Sequence, residues 1–166
     1  MTVVDSILAA NEAFVADAFQ GPAPRPPARH LVVVTCMDSR IDVFEVLGLR
    51  NGEAHIIRNA GGMITDDVLR SIALSQRYLS TVDVVLIQHT DCGMSHLDDG
   101  KFRQTMIDET GEDPGWDVAG FDDVDESVRN QLGILATSPW VRNDGQTAGF
   151  VYDVETGRLR YVAEVA

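Results

Sequence analysis

Two short stretches hold residues whose types and spacing can do chemistry: Cys36-Met37-Asp38-Ser39-Arg40 and His89-Thr90-Asp91-Cys92-Gly93. Cysteine sulfur and histidine nitrogen are the donors that zinc takes in tetrahedral sites, and a catalytic zinc keeps three protein ligands and one open position. Cys36, His89 and Cys92 supply three. A closed structural site needs a fourth donor, which Asp38 or another carboxylate would have to provide, so the count favours chemistry over a purely structural role. Two thiolates neutralise the ion, so the water it carries needs help from other groups to act near neutral pH. Asp38 reads as the acceptor for that water, and Arg40 as the planar fork that pairs with Asp38 and fixes its orientation. The pair is also a gate: paired with Arg40, Asp38 leaves the metal open, and swung onto the metal as a fourth ligand it shuts it.

Elements of a definite kind must position these residues. Leu31-Val32-Val33-Val34 and Val82-Asp83-Val84-Val85-Leu86-Ile87 are short, β-branched and almost uninterrupted, the pattern of strands buried on both faces of a parallel sheet. Each chemical stretch begins where one of these runs stops, at a strand's carboxyl end, the edge of an open α/β sheet where ligands collect. Between them the spacing predicts a short helix over Ile41–Leu47 closed by Gly48, a strand over Glu53–Arg58, and a turn at Asn59-Ala60-Gly61-Gly62 whose backbone can approach a ligand closely. A helix follows with Thr65 as its N-cap, Asp66 and Asp67 in its first turn, and Val68, Leu69, Ile72, Ala73 and Leu79 on one face.

Beyond Met94 the pattern predicts a helix over Asp98–Glu109, a loop over Gly111–Gly120, and a helix over Asp122–Thr137 whose apolar stripe runs through Val124, Val128, Leu132 and Leu135. Alternating runs at 150–154 and 159–163, joined by Glu155-Thr156-Gly157, form a hairpin. The fold class is therefore α/β, a mostly parallel central sheet flanked by helices with an antiparallel C-terminal edge. Trp116 and Trp140 are expected to pack loops against the body, and Asp91 to brace backbone amides or to touch the chemistry. His30, His55 and His96 are not tied to the site.

The 166 residues form one domain of ordinary size, long enough to bury a core without staples. Residues 1–27 stand apart. Positions 2–19 read as an amphipathic helix opened by a Thr2/Asp5 capping box, and Gly21-Pro22-Ala23-Pro24-Arg25-Pro26-Pro27 is a stiff arm; the helix is apolar enough to need cover, expected from a partner subunit. A net charge of -13 with no basic run argues against nucleic acid and anionic membranes as partners. No apolar run can span a bilayer and no signal sequence is evident, so a cytoplasmic protein is expected, with its two cysteines as thiolates rather than a disulfide.

Taken together, Cys-x-Asp-Ser-Arg, then Arg58-Asn59-Ala60-Gly61, then His-x-x-Cys-Gly, in that order and on those elements, resemble the β-class carbonic anhydrases, over about 30–94 and more loosely through the later helix and hairpin. The resemblance implies reversible hydration of carbon dioxide to bicarbonate, one zinc ion per subunit on Cys36, His89 and Cys92, and Asp38 with Arg40 as the catalytic dyad. It also implies a substrate site beside Gly61 and Gly93, and a homodimer or dimer of dimers in which the N-terminal helix embraces the neighbour. Plant-type members carry a glutamine where Arg50 stands, and many repeat glycine where Met94 follows Gly93; these departures fit a compact bacterial branch. That branch is similar to enzymes that hydrolyse carbonyl sulfide or carbon disulfide with the same ligands, which gives one alternative. A non-catalytic zinc or redox-sensing protein, with Asp38 permanently on the metal, is the other.

Overall fold

A computed structural model describes residues 1–165. Helix α1 (Val3–Asp17) leads through the arm to strand β1 (Leu31–Cys36), helix α2 (Val43–Leu47) and strand β2 (Ala54–Asn59). A single 3-10 turn (Ala60–Gly62) precedes helix α3 (Asp66–Tyr78) and strand β3 (Asp83–His89). Helices α4 (Asp99–Thr110) and α5 (Val124–Thr137) and strands β4 (Thr147–Tyr152) and β5 (Leu159–Glu164) complete the chain.

The strands form one sheet in the order β2-β1-β3-β4-β5. The pairs β2-β1, β1-β3 and β3-β4 are parallel, and only the β4-β5 hairpin is antiparallel. β1 lies second from the edge and β3 in the centre, and Val32, Val33, Val34, Val84 and Leu86 are each 0% exposed. Successive residues of a strand face opposite sides. Val32, Val34, Val84 and Leu86 pack with Val68, Ile72, Val128, Leu132 and Leu135 from α3 and α5. Val33 and Ile87 look the other way, into a smaller cluster with Ile41, Val43, Leu49 and Tyr152, which also holds Cys36 and Cys92.

The mixed sheet, the order of elements and the caps match the sequence reading, with boundaries moved by local hydrogen bonds. The first helix of the body begins at Val43 rather than Ile41, because Asp42 caps it by accepting the Phe44 and Glu45 N–H groups. Cys36 and His89 are the last residues of their strands, not the first of the loops beyond. The ladders run on past them, since Met37 N–H donates to Asn59 O and Thr90 N–H to Tyr152 O. The capping box of α1 is formed, with Thr2 and Asp5 exchanging side-chain-to-backbone hydrogen bonds. α1 buries no residue. Trp116 and Trp140 do not pack against the body: they are 51% and 63% exposed, and Trp140 rims a shallow groove with Leu69, Ala73 and Leu74 of α3. Among the described residues no helix is long and apolar enough to cross a membrane.

Helix α5 packs tightly on β4 at Gly149. A Cβ added to Gly149 would overlap Val128 Cγ1 and stand 2.9 Å from Leu132 Cδ1. Gly149→Ala is expected to destabilise the fold by about 1–3 kcal/mol through overpacking, read as a lowered midpoint in thermal unfolding.

Candidate metal centre

Parallel pairing of β1 with β3, with Thr35 opposite Ile87, brings the carboxyl ends of the two strands side by side and with them Cys36 and His89. The chain then turns tightly. Asp91 takes a left-handed conformation with φ 52°, which aspartate tolerates better than most residues, and Cys92 comes back over the strand end. Ser95 N–H donating to Cys92 O closes the turn.

The donor atoms of Cys36, His89 and Cys92 all lie within 4.8 Å of one another, and all three residues are buried. The two sulfurs are 4.0 Å apart. That is twice a disulfide bond. It is close to the separation of about 3.8 Å for two sulfurs each about 2.3 Å from a tetrahedral zinc.

The histidine ring points to the same conclusion. Nδ1 lies 2.9 Å from the carbonyl oxygen of Thr90, so Nδ1 carries the proton and donates it there. Nε2 is left with a bare lone pair, fully buried and without a hydrogen-bond partner. A buried polar atom without a partner is costly unless something satisfies it. A cation between Nε2 and the two sulfurs does so, and the second hydrogen bond on Nδ1 is what orients a metal-binding imidazole. The donor set therefore fits zinc.

A hydrogen bond from Cys92 holds the Cys36 thiol well below its ordinary range against the opposing effect of burial, helped by His89 and by the Asp38 and Gly61 amides. Cys92 is pushed up correspondingly, first by that same hydrogen bond and then by burial. For His89, burial disfavours the imidazolium, but the adjoining Cys36 thiolate outweighs it and the net shift is upward. The site is thus poised to attract positive charge.

Around the donors lies a polar frame. Arg40 grips Asp38 along one edge of its guanidinium, Nε to Oδ1 at 3.0 Å and Nη2 to Oδ2 at 2.7 Å, and the Arg40 amide adds a third bond to Oδ1. These bonds hold the Asp38 carboxyl far below the ordinary range and raise the Arg40 guanidinium above its own. Asp38 Oδ2 stands 3.8 Å from His89 Nε2, at the mouth of the donor cluster. Arg58 donates to the carbonyls of Cys36, Asp38 and Ile41, pinning the backbone of the loop that carries the dyad. Asn59 and Met63 exchange two hydrogen bonds across the 3-10 turn. The structure thus brings Cys36, Asp38, Arg40, His89 and Cys92 together.

Gly61 is buried at φ 75° with Met94 and Met63 packed close, whereas Gly93 is exposed beside Cys92 with open space where a Cβ would stand. His30 is tied to Ser80 O, His55 to Ser75 and His96 to Asp122. Sequence reasoning missed the role of Asp91: its side-chain oxygen takes Arg40 Nη1 at 2.7 Å, and its carbonyl takes Nη2 at 2.8 Å. The signal was an acidic residue inside the ligand turn, with nothing in the spacing to say that the turn would fold towards Arg40.

Comparison with known proteins agrees with this geometry. The family model described as carbonic anhydrase matches residues 31–112. The chain is 47% identical to beta-carbonic anhydrase 1 of Mycobacterium tuberculosis over 162 residues, covering 98% of this chain and 99% of that one. It is 34% identical to a carbon disulfide hydrolase of Acidithiobacillus thiooxidans over 155 residues, 81% of this chain and 78% of that protein. In structure it resembles carbonic anhydrase from Streptococcus mutans with a TM-score of 0.92, at 40% identity and covering 98% and 99% of the two chains.

Replacing Cys36 or Cys92 with serine, or His89 with alanine, is expected to abolish stoichiometric zinc retention, measured as metal content after dialysis. Because the ligands bind metal only when deprotonated, acidification is expected to release zinc from the unaltered protein progressively.

Proposed function

The chain belongs to the β-carbonic anhydrase family, and we propose that it carries out the zinc-dependent reversible hydration of carbon dioxide to bicarbonate with Asp38 and Arg40 as its dyad. The observation that carries the reading is the bare, buried Nε2 of His89 facing two sulfurs, with an arginine-held carboxylate 3.8 Å away. Held by Cys36, His89 and Cys92, zinc supplies Lewis acidity that turns water into a nucleophile near neutral pH.

The chain's own groups do the rest. Asp38 Oδ2 accepts a hydrogen bond from the attacking water and aims its lone pair at the carbon of carbon dioxide. Arg40 keeps Asp38 ionised, so the carboxylate accepts and orients but does not store the proton. The proton released on hydration leaves to solvent buffer. The small linear substrate and its planar product would lie beside the backbone of Gly61, whose amide faces the Cys36 sulfur, and of Gly93, which follows Cys92 and has open space where a Cβ would stand. Turned from Arg40 towards Cys36, His89 and Cys92, Asp38 would complete a four-donor set and close the site.

The exposed helix α1 supports a homodimer or a dimer of dimers. Val3, Val4, Ile7, Leu8, Phe14, Val15 and Phe19 are between 48% and 72% exposed, a stripe that a second copy would cover, with residues 1–27 reaching across it. Two free cysteines and no disulfide suit the reducing cytoplasm. The likeness to a carbon disulfide hydrolase gives a second reading, a zinc hydrolase of carbon disulfide or carbonyl sulfide.

Stopped-flow carbon dioxide hydration on zinc-checked protein is expected to show fast turnover, with carbon disulfide and carbonyl sulfide hydrolysis absent; zinc-loaded protein inert to carbon dioxide but active on a sulfur substrate would select the second reading. Arg40→Ala is expected to lower kcat/KM about 10- to 100-fold with zinc retained, and unchanged activity would remove the dyad role. The double substitution Ile7→Glu/Leu8→Glu is expected to lower the mass measured by sedimentation, which a monomeric parent would not show.

A further inference from the structure

Asp91 lies between two metal-ligand residues and touches neither chemistry nor core. Its side chain is 79% exposed, against 44% for Arg40 and 17% for Asp38. Yet it contributes two of the hydrogen bonds that hold Arg40, through its carboxylate to Nη1 and through its carbonyl to Nη2. Asp38 occupies the other edge, Nε and Nη2. The two aspartates therefore do not compete for one face of the guanidinium. They grip it along two adjacent edges that meet at Nη2.

We propose that Asp91 is a positioning residue that holds the Arg40 fork in place for Asp38, and so sets how readily Asp38 reaches the metal. The inference rests on the Asp38–Arg40 gate described above. A long, partly exposed arginine side chain is mobile unless tied, and its planar fork binds a carboxylate well only when its orientation is already set. Asp91 supplies that order from a point fixed by the metal site itself, two residues after His89 and one before Cys92. Its charge has a weaker, opposite effect, since a second carboxylate partly neutralises Arg40; solvent screens that effect at so exposed a position, and the ordering prevails. An asparagine keeps a side-chain acceptor and the carbonyl bond, so it should retain most of the effect, whereas alanine loses the side-chain bond.

The test is azide titration of the cobalt-substituted protein, read in the visible spectrum, because azide must displace Asp38 wherever Asp38 has closed the metal. Asp91→Ala is expected to weaken azide binding about two- to fivefold, Asp91→Asn to stay near the parent, and Arg40→Ala to weaken it further. Adding Asp91→Ala to Arg40→Ala should change nothing more. Parental azide affinity in Asp91→Ala, or multiplying effects in the double variant, would overturn the proposal while leaving the gate intact. Loss of cobalt from Asp91→Ala would also overturn it, making Asp91 a brace of the ligand turn. Unchanged affinity in Arg40→Ala would overturn the gate itself and the role of Asp91 with it.

Discussion

Everything at the metal centre depends on the parallel pairing of β1 with β3. Parallel strands bring their carboxyl ends to the same edge, so two segments more than 50 residues apart end side by side with a cysteine on one and a histidine on the other. The pairing also sets direction. His89 lies two residues after Ile87 and so faces the same side of the sheet, towards the small cluster that holds Cys36 and Cys92. A register slip of one residue would turn the imidazole to the opposite face. The dry valine and leucine packing of the two strands is what forbids that slip, so the core, though it touches no ligand, sets the accuracy of the site.

Around that edge the protein uses main-chain hydrogen bonds rather than bulk packing. Arg58 spends its guanidinium on three carbonyls of the dyad loop, and Asn59 and Gln131 tie down the chain at Met63 and Ile64. Arg58 and Arg40 thus divide the labour: one fixes the backbone from which Asp38 springs, the other its carboxylate. Gly62 shows how close the parts are, for a Cβ there would stand 3.0 Å from Cys36 N. Its φ of 64° belongs to the region that favours glycine.

The parts of this arrangement that could be read from the sequence are those carried by residue type and period. Uninterrupted valines gave the buried strands, the Thr65 cap with its acidic first turn gave α3, and two cysteines with one histidine gave the donor count. The parts that escaped depend on geometry that the spacing does not encode. The side of Asp91 that meets Arg40 is set by one left-handed residue in a turn, and the bare Nε2 by a hydrogen bond from the same ring to its neighbour's carbonyl. Trp116 and Trp140 misled for a related reason: large apolar residues are usually covered, but both sit on loops beyond the reach of the core.

Charge links the site to its traffic. At -13 the molecule repels anions at distances within about a Debye length of its surface, roughly 8–10 Å in ordinary salt. Carbon dioxide carries no charge and arrives unhindered; bicarbonate does carry one and is not drawn back. Arg40, at the mouth, does not reverse this, because Asp38 and Asp91 together outweigh it. Its positive charge is committed to orienting a carboxylate rather than to collecting anions. A site that must bind a neutral molecule and release an anion gains from that arrangement: the guanidinium supplies geometry, while the field around it favours departure of the product.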